Sequence, residues 1–295
     1  MFGRSSLISI GQVWRCAALT LAILTVGSVQ LGRPVQASSA LEERKLPMRF
    51  AWHEPAKSAD CISNCHGWVS AVGVIDADSL RQFNELAGTH DLRGVSVVLD
   101  SGGGSVLDAI ALGKRWRGLK VSTLVGTAVE MPASAGAPAR TQILPSAYCE
   151  SMCVFLLLSG VHRYVPPGAR IRVHQIWMGD RADDAKSASY NAEDVMIIER
   201  DVGRLAHYTF DMGGSGELLG LALSVPPWDA LRELTGDELR RTNLVTTEVM
   251  ADVWPGGEMQ LPAVALSSGS KPHQDRVTPD ARRTAEVKVP TGEAK

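Results

Sequence analysis

Aromatic residues make up only 5% of the 295-residue chain. A platform that stacks successive bases needs more of them, so single-stranded nucleic-acid binding is disfavoured. Charge of one sign is also lacking: 30 Lys+Arg stand against 32 Asp+Glu, a formal net of -2. No strong field draws the chain to nucleic acid or to an anionic membrane. No glycine-rich turn ends in Gly-Lys-Ser/Thr, which excludes a phosphate-binding P-loop. There is no internal repeat, and no second long apolar run follows the N-terminal one. What remains is 45% hydrophobic and 21% charged, ordinary composition for one sizeable core.

The N-terminus reads as a targeting segment over residues 1–37. Arg4 and Arg15 make a positive start, Cys16–Leu31 is uncharged and mostly apolar, and Val35-Gln36-Ala37 is a small-x-small cleavage site. The apolar run is shorter than the roughly 20 residues that span a bilayer. Cleavage rather than a stable membrane span is therefore expected, with a periplasmic or otherwise exported destination. Removing that segment takes away three arginines and no acids, leaving 27 Lys+Arg against 32 Asp+Glu, a net of -5.

Of the five cysteines, Cys16 leaves with the signal. Cys61, Cys65, Cys149 and Cys153 remain as two Cys-x3-Cys pairs. An even count in an exported chain predicts disulfides. Local pairs, Cys61–Cys65 and Cys149–Cys153, are the simplest arrangement, although four cysteines allow three connectivities. Zinc is the rival reading, but its sites favour Cys-x2-Cys elements and reduced thiolates. No metal or cofactor is expected.

A polar lead-in over 38–58 precedes a domain over 59–254, and an aperiodic tail rich in Pro, Ser, Gly and charge fills 255–295. Within the domain, strands are predicted over Trp68–Ile75, Val95–Leu99 and Val121–Val125. Helices alternate with them, one capped by Asp76 or Asp78 and one carrying Val106, Ile110, Ala111 and Trp116. This alternation predicts an α/β fold with a mostly parallel sheet flanked by helices. Residues 126–150 read as a long connection and Ser151–Leu158 as a buried helix. Short strands follow at Arg163–Val165 and Ala169–His174, then a flap over Met178–Ser189. Asn191 caps a helix over Ala192–Tyr208 that would bury Val195, Ile198, Val202 and Leu205. A short helix is expected near Gly236–Arg241.

Three elements carry possible chemistry. Ser101-Gly102-Gly103-Gly104 ends a predicted strand and can present backbone N–H groups to an oxyanion. Ser151 stands at a predicted helix start, where negative charge near a nucleophile is stabilised. His174 ends the β-branched run Ile171-Arg172-Val173 and could take a proton from serine. Taken singly, each has a structural reading: a tight turn, a helix cap and a core histidine. Ser134 in Ala133-Ser134-Ala135-Gly136 is a rival nucleophile in a linker-like setting.

In combination these elements resemble the Clp protease proteolytic subunit and its relatives in the crotonase-like superfold. The shared pattern runs through Ser101–Gly104, Ser151-Met152, Arg163 with Pro166-Pro167-Gly168, and His174-Gln175, and on to Leu234–Leu239 and Asn243-Leu244-Val245. It covers about residues 65–250. The resemblance implies a ClpP/crotonase-like fold of repeated β-β-α units. It implies Ser151 as nucleophile and His174 as general base. Gly104 with Gly103 beside it, and Met152, would supply the oxyanion N–H groups. The orienting acid falls near Leu231, so Asp229 is the expected third member, with Asp211 and Glu233 as substitutes. Gly102 replaces the family's Pro, and Glu150 stands where a small residue is usual.

The implied function is an exported serine hydrolase, a peptidase acting on a peptide or protein substrate and able to form a homo-oligomer. A non-catalytic binding or scaffold protein on the same fold is the alternative, since fold does not fix function. Thioester chemistry of the crotonase type lacks any coenzyme A signature.

Overall fold

A computed structural model of the chain describes residues 43–54, 67–131, 140–179, 186–187 and 189–254. The signal segment, Cys61, Cys65, Ser134, most of the expected flap and the tail after Trp254 lie outside the described residues.

The fold is mixed α/β, with mostly parallel strands. Three runs of β-branched and apolar residues set its centre: β2 (Trp68–Val72), β3 (Ser96–Asp100) and β4 (Ser122–Val125). They pair in parallel, and β8 (Arg163–Tyr164) extends them. The edge strand β1 (Arg49–His53) pairs antiparallel with β2, giving the order β1-β2-β3-β4-β8. The N-terminal part of the domain therefore begins as a strand within the expected polar lead-in. Phe50 explains why: its ring packs edge-on against Phe83 and Trp116, at 5.4 and 6.4 Å between centroids.

Both faces of this sheet are covered, which is why its strands read as continuous apolar runs. Val97 and Leu99 point into the main core, while Val98 packs on the other side with Trp68, Leu124, Ile143 and Trp254. Helices α1 (Ser79–Thr89) and α2 (Val106–Leu119) contribute Phe83, Leu112 and Trp116 to the main core. Residues 126–150 are not one connection. They contain a hairpin of β5 (Thr127–Met131) and β6 (Arg140–Leu144), then β7 (Tyr148–Glu150). Strand β7 pairs in parallel with β9 (Arg170–Val173), and β10 (Arg232–Glu233) closes a second, three-stranded sheet.

Helix α3 (Met152–Leu157) follows β7 and is buried throughout. Two arginines hold its far end. Arg117 donates to the carbonyls of Leu158 and Met212, each at 2.8 Å. Arg163, 3% exposed, donates to Gly160 O at 2.8 Å and to Asn243 O at 2.9 and 3.1 Å. Burial among carbonyls, with Arg117 nearby, lowers its pKa to about 10.

Helix α4 (Ala192–Asp211) starts on a capping box between Asn191 and Asp194. The expected apolar stripe is only half used: Leu205 is buried, while Val195 is 44% exposed. The helix seats instead through Tyr208 and Thr209, and Gly113 permits this approach, since a β-carbon there would lie 1.9 Å from the Tyr208 hydroxyl. Helix α5 (Gly216–Leu223) was not legible in the periodicity, being apolar nearly all round. Helix α6 (Gly236–Arg241) falls where expected, capped by Thr235. Among the described residues no helix is long and apolar enough to cross a membrane.

Asp100 joins the two sheets. It is fully buried at the end of β3 and ion-paired with Arg44. It also accepts from Thr127 Oγ1 at 2.6 Å and from Tyr148 N–H at 3.2 Å. A buried charge is stable only when paired and hydrogen-bonded in this way. Asp100→Ala leaves the Arg44 cation and two donors unmatched, so a loss of about 3–5 kcal/mol is expected in urea unfolding. A loss below ~1 kcal/mol would show that Asp100 does not join the sheets.

Candidate active site

The bridge begun by Asp100 continues through Ser101. Its N–H donates to Tyr148 O at 2.9 Å, and its carbonyl accepts from Glu150 N–H at 3.0 Å. The glycine turn after β3 is thereby laid alongside the end of β7. Its residues then divide in role. The Gly103 N–H donates to Ser101 Oγ at 3.1 Å. Gly103 also takes a φ of 96°, and a β-carbon on it would sit 2.7 Å from Ser151 Cβ and 2.9 Å from Met152 N. Gly103 is thus the contact surface for Ser151, with its own N–H already engaged. Gly104 pairs with Ile75 through its neighbours, Gly103 O and Ser105 N–H, so its own N–H is directed away from that strand. Among the described residues, neither the Gly104 N–H nor the Met152 N–H meets an acceptor.

Ser151 links β7 to α3 with φ 54° and ψ -123°. A positive φ is rare for a non-glycine residue and strains it by about 1–3 kcal/mol. Such a sharp strand-to-helix turn exposes a side-chain hydroxyl, which here is half-buried and makes no cap bond. The helix-cap reading of Ser151 therefore does not describe its side chain. The turn is held on both sides. The Ser151 N–H donates to Arg172 O at 2.9 Å, and a Cys149–Cys153 disulfide spans the turn. Both cysteines are fully buried. Among the described residues no group of three or more His, Cys, Asp or Glu is placed to hold a metal ion.

His174 follows β9 on the strand beside Ser151. The register sets Glu150 opposite Arg172, where the ladder ends, and His174 lies two residues beyond Arg172 along the chain. No hydrogen bond joins Ser151 to His174 among the described residues. The imidazole Nδ1 lies 2.8 Å from Gln175 O. A carbonyl can only accept, so Nδ1 carries a proton, and in the neutral ring the lone pair is on Nε2. The ring also leans on Trp177, with centroids 4.4 Å apart. Burial lowers the His174 pKa, opposed by the Gln175 carbonyl and by the charge of Glu150.

Among the described residues no hydrogen bond or ion pair joins Asp229 to this ring, whose Nδ1 is taken by Gln175 O. The Asp229 side chain is exposed, while its N–H closes a turn with Pro226 O at 3.1 Å. The loop carrying it does reach the site, but it delivers Val225 O to the Gln175 N–H at 2.8 Å. Gln175 is thus pinned by that loop and in turn holds His174. Sequence reasoning favoured a carboxylate and overlooked a main-chain carbonyl, which leaves no side-chain signal. Of the substitutes, Asp211 pairs with His207 at 2.8 Å and Glu233 with Arg172 at 3.4 Å. Glu150, which precedes the serine, is bound by Arg172 at 2.9 Å.

No family model and no curated protein matches the chain. The site is therefore read from its own geometry. Gly103→Ala forces a side chain into both a positive φ and the Ser151 turn. It should destabilise by more than ~1 kcal/mol in denaturant unfolding. Gly102→Ala, with nothing within 4 Å of the added β-carbon, should stay within about 0.5 kcal/mol of wild type. Equal effects at the two positions would contradict the close approach.

Proposed function

We propose that the chain is an exported serine hydrolase of peptidase type, built on a ClpP/crotonase-like fold. The observation that carries this reading is the positive-φ Ser151 turn laid against the Gly103–Gly104 turn. Ser151 Oγ attacks a peptide carbonyl carbon while His174 Nε2 takes its proton. The charge on the carbonyl oxygen is taken up by the N–H groups of Gly104 and Met152. The Gln175 carbonyl holds Nδ1–H through the step. His174 then protonates the leaving amine, and water, deprotonated by Nε2, releases the acyl group from Ser151.

The buried Cys149–Cys153 disulfide favours an oxidising compartment, which supports export. The resemblance carries the expectation of self-association and of a peptide or protein substrate. A binding or scaffold role on the same fold is the second reading. It is favoured by the missing carboxylate at Nδ1 and by the missing Ser151–His174 hydrogen bond among the described residues.

A serine-directed fluorophosphonate separates the two. Wild-type protein should be labelled and Ser151→Ala should not. His174→Ala should react about 10²–10⁴-fold more slowly. Because burial lowers the His174 pKa, the labelling rate should hold as pH falls from 7 and decline only below the ordinary histidine value of 6.5. Equal labelling of wild type and Ser151→Ala, or labelling of neither, gives the site to the scaffold reading.

A further inference from the structure

His174 lacks an orienting carboxylate from the loop after α5, yet a carboxylate stands on the neighbouring strand. Strand alternation places Arg170 and Arg172 on one face of β9, and His174 continues that face one residue past the strand. On β7 the residues of the same face are Tyr148 and Glu150, paired in register with Arg170 and Arg172. Glu150 and His174 therefore share a face at the same end of two adjacent parallel strands. Ser151 turns away between them.

We propose that Glu150, clamped by Arg172, is the positioning carboxylate of the His174 base. It stabilises the imidazolium that forms when Nε2 takes the Ser151 proton. The inference rests on the hydrolase reading of Ser151 and His174. Arg172 Nη1 holds Glu150 Oε1 at 2.9 Å, with both side chains about three-quarters buried, at 23% and 22% exposure. The Glu150 charge acts on His174 through space, in the direction that favours its protonated form. Two separate groups thus share the work of a triad acid. The Gln175 carbonyl fixes the tautomer, and Glu150 supplies the charge.

The groups facing this ring can be named element by element. Strand β7 presents Glu150, and β9 presents Arg172, with Arg170 further back along it. Strand β10 presents Glu233, which shares Arg172 at 3.4 Å but is 53% exposed. Helix α3, Met152–Leu157, has no ionisable side chain free to titrate, since Cys153 is in the disulfide. The loop after α5 presents the Val225 carbonyl, through Gln175, and the solvent-facing Asp229. Trp177 covers one side of the ring.

The test pairs two variants of opposite charge effect. In the mature protein, His174 is titrated by imidazole NMR, and the pH dependence of fluorophosphonate labelling is measured beside it. Glu150→Gln removes the anion. The His174 pKa should fall, the acidic limb of the labelling profile should move to lower pH, and the plateau rate should drop. Arg172→Met frees the anion from its counter-ion, so both measures should move to higher pH. Glu150→Asp should restore the limb toward its wild-type position. General loosening of the site would expose the ring and move both variants upward together. That outcome, or an unshifted His174 in Glu150→Gln, overturns the assignment. If wild-type Ser151 does not react at all, the hydrolase reading itself falls and the role of Glu150 falls with it. The NMR titration needs no turnover and so tells the two failures apart.

Discussion

The main chain of Gly103 lies directly against Ser151, so closely that a β-carbon would fall 2.7 Å from the serine's own. Two turns, each ending a strand of a different sheet, are pressed together there. Ser151 adopts a φ of 54° in this contact, a conformation an isolated chain would leave. It persists because the surroundings over-determine it. The Ser101 bridge holds β7 to the glycine turn. The β7–β9 pairing holds the Ser151 N–H, and the Cys149–Cys153 disulfide closes the turn. At the other end of α3, Arg117 and Arg163 tie the last carbonyls to the rest of the domain. Removing strain at Ser151 would require moving elements on every side.

The same architecture accounts for the state of His174. Asp100 anchors the junction of the sheets, and β9 pairs with β7 beyond that junction. The histidine therefore follows the strand that pairs with β7, and β7 leads directly into Ser151. Its tautomer is set by the Gln175 carbonyl, and the Gln175 N–H donates to Val225 O. A carbonyl holds Nδ1–H but supplies no full charge. Glu150, which the proposal assigns that charge, is held by Arg172 at 2.9 Å.

Much of this was legible in the sequence because buried parallel strands leave unmistakable apolar runs. Val95–Leu99 and Val121–Val125 fell within a residue of β3 and β4, and Gly236–Arg241 matched α6. The signal failed where burial and pattern part company. β1 hides in a polar segment because Phe50 and Trp52 pack against the main core while Arg49 and Ala51 face out. The β5–β6 hairpin was diluted by the small residues between its strands. Helix α5 is apolar on nearly all sides and so shows no period. In α4 the expected stripe was too long, because the helix packs by Tyr208 and Thr209 near its end. At the site, Ser151, His174 and the glycine turn were visible as motifs. The holding of Nδ1 was not, since a carbonyl belongs to every residue and marks none. Asp229 stands four residues after Val225, and it is the Val225 carbonyl that meets Gln175.

The proposed function requires the strained serine, the Gly104 and Met152 N–H groups, which meet no acceptor among the described residues, and the His174 Nε2 to converge on one substrate carbonyl. A crystal structure of the protein carrying a phosphonate on Ser151 tests that convergence most directly. The phosphoryl oxygen should lie about 2.7–3.1 Å from both Gly104 N and Met152 N. His174 Nε2 should be within about 3.2 Å of Ser151 Oγ, with Nδ1 still on the Gln175 carbonyl. A phosphoryl oxygen turned to solvent, or an imidazole swung away from Gln175, would contradict it.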